Sequence, residues 1–185
     1  QVIVYKGTDI SASTTWALVG VWNLGEPIGN RCFLKWAGDL LIITKGGVWP
    51  LAKALISATV TPEVALTDKI RQAMTTAAAS YVANFGWQML HYPGADMLLL
   101  NVPTAANASQ HQYVMNTITG SWGRFLAIAA NCWTIFNGEP YFGGNAVVGK
   151  LWAAFADNSG TITGEVQQAF NYFGSRGVLK TFKDL

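Results

Sequence analysis

Short runs of alternating apolar and polar residues, separated by glycine-rich turns, make up most of this chain. The clearest run spans residues 113–142, where a strand from Cys132 leads into the Asn137-Gly138 turn and a further strand ends at Tyr141-Phe142. Asn-Gly between two apolar runs is a strong hairpin signal, because both central residues of the turn must adopt positive φ. The pattern therefore predicts a mainly β protein built from short antiparallel strands.

This hairpin has two counterparts earlier in the chain. Residues 31–39 (RCFLKWAGD) repeat the order of cysteine, strand, turn glycine and acidic residue found in residues 131–139 (NCWTIFNGE), and residues 86–96 form a looser copy without the cysteine. A period of about 40–50 residues with about four short strands in each repeat is typical of propeller blades. The repeat predicts β-propeller-like blades, about three in this chain. Intervals of 56 and 44 residues separate the turn glycines Gly38, Gly94 and Gly138.

One segment breaks the period. Residues 52–84 lack strand alternation and are rich in helix formers, so they predict a helical insertion within a single β-propeller-type region covering residues 1–185. Thr67 is predicted as a helix N-cap. The segment either contacts a neighbouring molecule or packs over its own blade. Four residues share the predicted helical face: Ile70, Met74, Ala77 and Tyr81.

The composition is unusually poor in charge. Charged residues make up 12% of the chain and apolar residues 51%, with a net charge of +2. Globular domains average about 25% charged residues, so much of this surface is predicted to be covered by another chain or by further parts of its own. The near-neutral balance offers no basic face for tight nucleic-acid binding. No apolar run is long enough to predict a membrane span.

The candidate motifs favour structural over catalytic interpretations. Residues 144–150 (GNAVVGK) match the glycine and lysine spacing of a phosphate-binding loop, but Leu151 stands where serine or threonine must bind magnesium, and a hairpin is predicted there. His91 and His111 lack neighbouring ligands at metal-site spacing. No catalytic, cofactor-binding or metal-binding residues are therefore predicted, no cofactor is expected, and the chain is not predicted to be an enzyme.

The cysteines and tryptophans are predicted to be core residues. Cys32 and Cys132 occupy equivalent repeat positions, which predicts two small buried residues in different blades, both unpaired and compatible with a reducing cytoplasm. Most of the eight tryptophans stand at repeat-equivalent strand positions and are predicted to pack between blades.

Several motifs resemble structural proteins of short-tailed bacteriophages. The likeness is to the propeller-bearing tail hub, nozzle or tail tubular class, and it covers nearly the whole chain. The motifs are residues 4–9 (VYKGTD), 16–20 (WALVG), 25–33 (GEPIGNRCF), 116–125 (NTITGSWGRF), 141–144 (YFGG) and 170–175 (FNYFGS).

This resemblance implies a non-enzymatic virion component that is assembled in the host cytoplasm. It would form a homo-oligomeric ring, typically a hexamer, around the DNA exit channel, joining the adaptor on the portal side to a tip or to fibres. Non-specific contact with double-stranded DNA in the lumen is compatible with such a place. A complete propeller needs more than three blades, so the chain is expected to be a fragment of a longer protein.

Two other classes remain open at this point. The chain is compatible with a carbohydrate-binding or receptor-binding propeller, which would expose a set of aromatic side chains on one rim. A glycan-degrading enzyme would need two carboxylates about 5–9.5 Å apart in a cleft. The chain has only ten acidic residues, and those near strand turns occupy equivalent places, as turn residues would: Asp39, Asp96 and Glu139.

Overall fold

The computed structural model describes residues 1–56, 62–105, 108, 110–154, 156 and 160–165. The chain divides into a compact unit over Gln1–Leu151 and a second unit over Trp152–Leu185. The described residues of the second unit form no named helix or strand. Residues 166–185, where the sequence has two further segments of alternating apolar and polar residues, lie outside the described residues.

The first unit is mainly β, as the alternation of its sequence predicts. Its strands form four antiparallel sheets of consecutive strands, in the orders β1-β2, β3-β4-β5, β6-β7-β8-β9 and β10-β11-β12. The strands are β1 (Val2–Lys6), β2 (Ala17–Trp22), β3 (Phe33–Trp36), β4 (Asp39–Thr44), β5 (Gly47–Pro50), β6 (Gln88–Tyr92), β7 (Met97–Val102), β8 (Gln110–Asn116), β9 (Trp122–Ile128), β10 (Cys132–Phe136), β11 (Glu139–Gly143) and β12 (Val148–Lys150).

Two equivalent hairpins use the same tight turn. Asn137 and Gly138 have φ values of 49° and 76°, which confirms the turn predicted between β10 and β11. Ala37 and Gly38 adopt nearly the same values, 50° and 79°, between β3 and β4. Alanine is sterically disfavoured at positive φ, so the sheet pairing on either side holds Ala37 there against its own preference.

The predicted insertion is helical. It contains α1 (Leu51–Ile56), α2 (Arg71–Tyr81) and short 3₁₀ turns, with residues 57–61 outside the described part. The predicted face of α2 is confirmed, because Met74 and Ala77 are buried while Ile70 and Tyr81 pack against the same core. This packing places α2 over its own sheets.

The predicted N-cap role of Thr67 is wrong. Thr67 precedes a 3₁₀ turn, and its side chain makes no capping hydrogen bond. Its Oγ1 instead accepts the amide proton of Val48 at 3.1 Å, in a fully buried position. The hydroxyl therefore ties the insertion to β5, a contact across 19 residues that a local capping pattern cannot reveal.

Three apolar cores lie between consecutive sheets. The first joins β1–β2 to β3–β5, the second joins β3–β5 to β6–β9 and includes α2, and the third joins β6–β9 to β10–β12. Each fully buried large apolar side chain in such a core contributes about 1.5–3 kcal/mol. The four sheets therefore pack face to face in chain order, and we call this arrangement the sheet series.

The two middle sheets bury both faces. In β4, Leu41 and Ile43 point into the second core while Ile42 points into the first. In β7, Leu100 belongs to the second core and Leu99 to the third. The unbroken apolar run at 40–43 therefore belongs to a strand that is buried on both faces, which is why it lacks polar alternation.

A buried asparagine links several of these elements. Asn101 is completely buried on β7, and its Nδ2 donates to the carbonyl oxygens of Gly86 at 2.8 Å and Ala130 at 2.9 Å. Its Oδ1 accepts from Gln112 Nε2 at 2.9 Å and from Trp133 Nε1 at 3.1 Å. The full hydrogen-bonding capacity of one amide is thus used to join β7, β8 and β10 with two loops.

Other polar contacts fix neighbouring sheets at their first strands. Gln88 Nε2 donates to the Trp133 carbonyl at 2.8 Å, and the Trp133 amide donates to Gln88 Oε1 at 3.0 Å. Arg31 forms a parallel bridge with Gln88, and its guanidinium donates to the Asn131 carbonyl at 2.7 Å. These contacts set both the direction and the spacing of consecutive sheets.

Candidate functional site

The phosphate-loop-like sequence at 144–150 forms a hairpin. The Gly144 amide donates to the Val147 carbonyl at 2.9 Å, and the segment continues into β12, which pairs with β11. Lys150 Nζ lies 3.7 Å from a carboxylate oxygen of Glu139. The hairpin expected here is therefore confirmed, and the lysine belongs to a surface ion pair.

The two histidines lie on different strands. His91 is on β6, with its ring 6.3 Å from that of Trp36 in an edge-on arrangement, and His111 is on β8. Burial, followed by the positive charge of Arg124, holds the pKa of His111 below its usual range. Among the residues that the structure describes, no three His, Cys, Asp or Glu side chains are grouped as a metal site would require.

The prediction of two buried cysteines is correct for Cys32 and wrong for Cys132. Both thiols are free, but Cys32 is buried whereas Cys132 is exposed. Burial raises the pKa of Cys32, whose side chain lies in the core between the second and third sheets. Cys132 stands on the equivalent face of the last sheet, which no further described sheet covers.

The tryptophans divide between core and surface. Three are buried between sheets, as predicted: Trp49, Trp87 and Trp133. Trp22, Trp36 and Trp122 are half-buried beside the same cores. The prediction is wrong for Trp16, which lies directly before β2 and is 44% exposed, and the eighth tryptophan, Trp152, is also exposed, at 51%.

The three repeat-equivalent acidic residues lie at strand turns. Asp39 Oδ1 accepts the amide protons of Leu40 at 2.7 Å and Ala52 at 2.8 Å, so it links its hairpin to α1. Asp96 ends the β6–β7 turn in the left-handed conformation, with φ of 47°. Glu139 begins β11. These positions agree with the structural interpretation of all three carboxylates.

The most distinctive surface is the free side of the β1–β2 ribbon. Residues on one side of the ribbon point into the first core, where Val2 and Trp22 pack. The other side is apolar and exposed, and the register of the two strands pairs Ile3 with Val21 and Tyr5 with Leu18. We call these four residues the N-terminal outer face; their exposed fractions are Ile3 51%, Tyr5 56%, Leu18 56% and Val21 47%.

The last sheet has a free side of its own. Trp133 and Phe142 point into the third core, so the alternate residues of β10 and β11 point the other way. We call this side the C-terminal outer face; it includes Cys132, Thr134, Phe136 and Tyr141, with Glu139 opposite Phe136. Phe136 is 68% exposed and makes an edge-on ring contact of 6.0 Å with Tyr141.

The sequence repeat shows that the C-terminal outer face corresponds to a face that is packed against the next sheet elsewhere in the series. Cys132 and Phe136 are equivalent to Cys32 and Trp36, which pack toward the next sheet in the series. Sequence reasoning placed these residues at equivalent positions but could not tell which sheet is the last, and so it missed both outer faces. Alternation in β1, where exposed Ile3 and Tyr5 follow more buried Val2 and Val4, was the available signal.

Comparison of this chain with protein-family models, with curated proteins and with solved structures found no match. Among the residues that the structure describes, no helix combines the length and apolar character needed to cross a membrane.

Proposed function

We propose that this chain is a structural component of a short-tailed bacteriophage tail, in a hub, nozzle or tail tubular ring that forms part of the DNA-ejection conduit. The motif resemblance suggests the class of protein. The observation that carries the proposal is the pair of outer faces at the two ends of the sheet series, neither of which is covered by another sheet of the described residues. A subunit that assembles with others side by side needs surfaces of this kind.

The arrangement of the sheets supports a β-propeller as the finer architecture. Each sheet is a meander of consecutive strands, and the first strand of one contacts the first strand of the next, β3 against β6 and β6 against β10. The bridge between Arg31 and Gln88 is parallel, so the first two of these strands run in the same direction. Propeller blades related by rotation about a central axis have this relationship.

The outer faces and the composition support assembly. Exposed aliphatic and aromatic side chains on a two-stranded ribbon leave apolar surface in water unless another sheet covers it. The chain has few charged side chains with which to keep such a surface soluble, at 12% of its residues. One face lies at each end of the series, so contact between copies would be heterologous and would generate a ring or an open array.

In this function the protein is a non-enzymatic virion component of the tail, assembled in the host cytoplasm. Its proposed partners are further copies in a hexameric ring, the adaptor on the portal side, and the tip or fibres on the other. DNA passing through the lumen would meet a nearly neutral wall, consistent with the net charge of +2 and with weak, non-specific contact.

Electron microscopy of the full-length protein and of its parent particle tests this proposal. We expect a six-fold ring below the portal, with the sheet series in its wall. A monomer or trimer bound to glycan at a fibre tip would contradict the conduit and support the receptor-binding alternative. Release of reducing ends from a polysaccharide would contradict it in favour of a glycan-degrading enzyme.

A variant tests the role of the outer face. Ile3→Lys places a charge in the N-terminal outer face. We expect light scattering to show self-association of the unmodified chain and its loss in this variant. Ile118→Lys is the matched control, because Ile118 is 76% exposed in the turn between β8 and β9, away from both outer faces. Equal behaviour of the two variants would refute a specific role for the face.

A further inference from the structure

A second surface, independent of the proposed assembly, lies between α2 and the last two strands, β8 and β9, of the β6–β9 sheet. An open groove of about 590 Å³ runs there, within the range of about 300–1,000 Å³ typical of small-molecule sites. Its sheet side is formed by His111, Tyr113 and Arg124. Its other side is formed by Ala73 and Ala77 of α2.

The register of the strands explains why these side chains meet. His111 and Tyr113 are two residues apart on β8 and so share a face of the sheet. Arg124 is directly opposite Tyr113 on β9, which places it on that face too. The Tyr113 hydroxyl donates to the Ala73 carbonyl at 3.3 Å, so the helix is attached to the sheet beside the groove.

The helix side leaves the space open. Ala73 is exposed and has a short side chain, whereas the neighbouring Met74 and Ala77 are buried and anchor α2 in the core. Lys69 lies at the beginning of this side, and its Nζ donates to the Gly120 carbonyl at 3.0 Å. That contact fixes the ammonium at one end of the groove and leaves two of its protons for a ligand.

The groove is positively charged and has no acidic lining residue. Lys69 and Arg124 both line it, and its ten lining residues include no aspartate or glutamate. The ion pairs among the described residues involve other cations, namely Lys45, Arg71 and Lys150. Within the described part of the chain, the Arg124 guanidinium therefore has no carboxylate partner.

The pKa shifts of His111 and Tyr113 both favour the uncharged form of the side chain. Burial and then the positive charge of Arg124 lower the pKa of His111, while burial raises the pKa of Tyr113 against the effect of Arg124. Tyr81 is the other titratable side chain in the lining. The groove therefore combines two cations with neutral hydrogen-bonding side chains.

We propose that this groove binds an oxyanion, a phosphate or a carboxylate carried by a small ligand, through Lys69 and Arg124. The planar guanidinium can hold two oxygens of such a group, and the fixed ammonium supplies a second charge. The apolar side formed by Ala73 and Ala77 would lie against the body of the ligand.

Nuclear magnetic resonance of the full chain, with its histidines isotopically labelled, tests this site. Inorganic phosphate and succinate are titrated separately to ~50 mM at constant ionic strength, which reveals dissociation constants in the millimolar range. We expect a saturable shift of the His111 ring signal with at least one probe. Whichever saturates at lower concentration identifies phosphate or carboxylate as the preferred group. His91, which does not line the groove, is the internal reference.

A bound anion should also raise the pKa of His111, because negative charge nearby favours the imidazolium. Arg124→Gln and Lys69→Gln should each weaken binding about tenfold or more, as expected for loss of a charged hydrogen bond. Arg124→Lys should retain part of the affinity, and Lys35→Gln, which alters an exposed lysine outside the groove, should leave it unchanged.

Three results would overturn the proposal. One is a shift that fails to saturate with either probe, and another is an equal response of His91 and His111. The third is unchanged binding in Arg124→Gln when its spectrum shows a folded chain. None of these results bears on ring assembly, because the groove and the outer faces share no residue.

Discussion

Replacing Asn101 by leucine should destabilise the protein strongly, although the two side chains are similar in size. Asn101 is fully buried and makes four hydrogen bonds. Its loss removes these partners from the Trp133 indole nitrogen and from the Gly86 and Ala130 carbonyl oxygens. Gln112 Nε2 keeps a second acceptor, the Ile128 carbonyl at 3.2 Å.

The magnitude follows from the three groups that lose a partner. Each buried polar group left unsatisfied costs about 1–3 kcal/mol, so Asn101→Leu should lower the free energy of unfolding by about 3 kcal/mol or more. A domain of this kind has a total stability of about 5–15 kcal/mol. The variant should therefore unfold at a much lower urea concentration.

Urea unfolding followed by far-ultraviolet circular dichroism measures this loss. Asn145→Leu is the matched control, because Asn145 is exposed in a turn and should change the stability by no more than ~0.5 kcal/mol. Asn101→Asp keeps the two accepted bonds but turns an oxygen toward two carbonyls. Its carboxyl should have a raised pKa in the folded state, so this variant should gain stability relative to wild type as pH falls through that pKa.

A loss below ~1 kcal/mol for Asn101→Leu would refute this reasoning, since an unsatisfied buried group costs at least that much. It would mean that water hydrogen-bonds to the groups that lose Asn101, or that the stability of the third core depends on apolar packing alone.

Three further results are expected. Ala37→Asn should raise the free energy of unfolding by about 0.5–1 kcal/mol and Asn137→Ala should lower it similarly, because the same left-handed turn favours asparagine over alanine. Paired urea titrations check both, and a loss of stability in Ala37→Asn or a gain in Asn137→Ala would contradict the turn argument. A maleimide should label Cys132 in the native protein and Cys32 only after unfolding, since burial shields Cys32 and raises its pKa. Mass spectrometry identifies the labelled cysteine, and Cys132→Ser, which should not be labelled in the native state, is the control. The folded-state pKa of His111 is lowered, so wild type should lose stability relative to His111→Gln as pH falls below about 6.5; a pH-independent difference would contradict this.

Local signals in the sequence were sufficient for most of the strands and for the helical insertion. Asn137-Gly138 defines its own turn, and the spacing of Met74 and Ala77 defines the buried side of α2. The alternation of β1 and β2 was visible for the same reason, because side chains on a strand must point alternately to either face.

Features that depend on what packs against a strand could not be obtained in this way. Thr67 has the chemistry of an N-cap, but a distant amide on β5 takes its hydroxyl. Cys132 matches Cys32 in sequence and differs from it in exposure because, among the described residues, a further sheet packs beside Cys32 and none beside Cys132. Asn101 looks like one polar residue in an apolar strand, and nothing local indicates that four partners converge on it.

The groove was hidden for a related reason. Lys69 and Arg124 are far apart in the sequence and do not belong to a common motif. Only the packing of the helical insertion against β8 and β9 brings them to one surface. The repeat pattern gives no information about where the helical insertion packs, because the insertion is not part of the repeat.

The sheet series also has a consequence for how the molecule opens. Among the described residues, each sheet shares a core only with its immediate neighbours. Unfolding should therefore be cooperative between neighbouring sheets, and the sheets at the ends of the series should open most easily. The β1–β2 ribbon has two strands and a single supporting core, and its amide protons should exchange with solvent well before those of β7. A partner seated on the N-terminal outer face would give the ribbon a second support, so that association and local order would increase together.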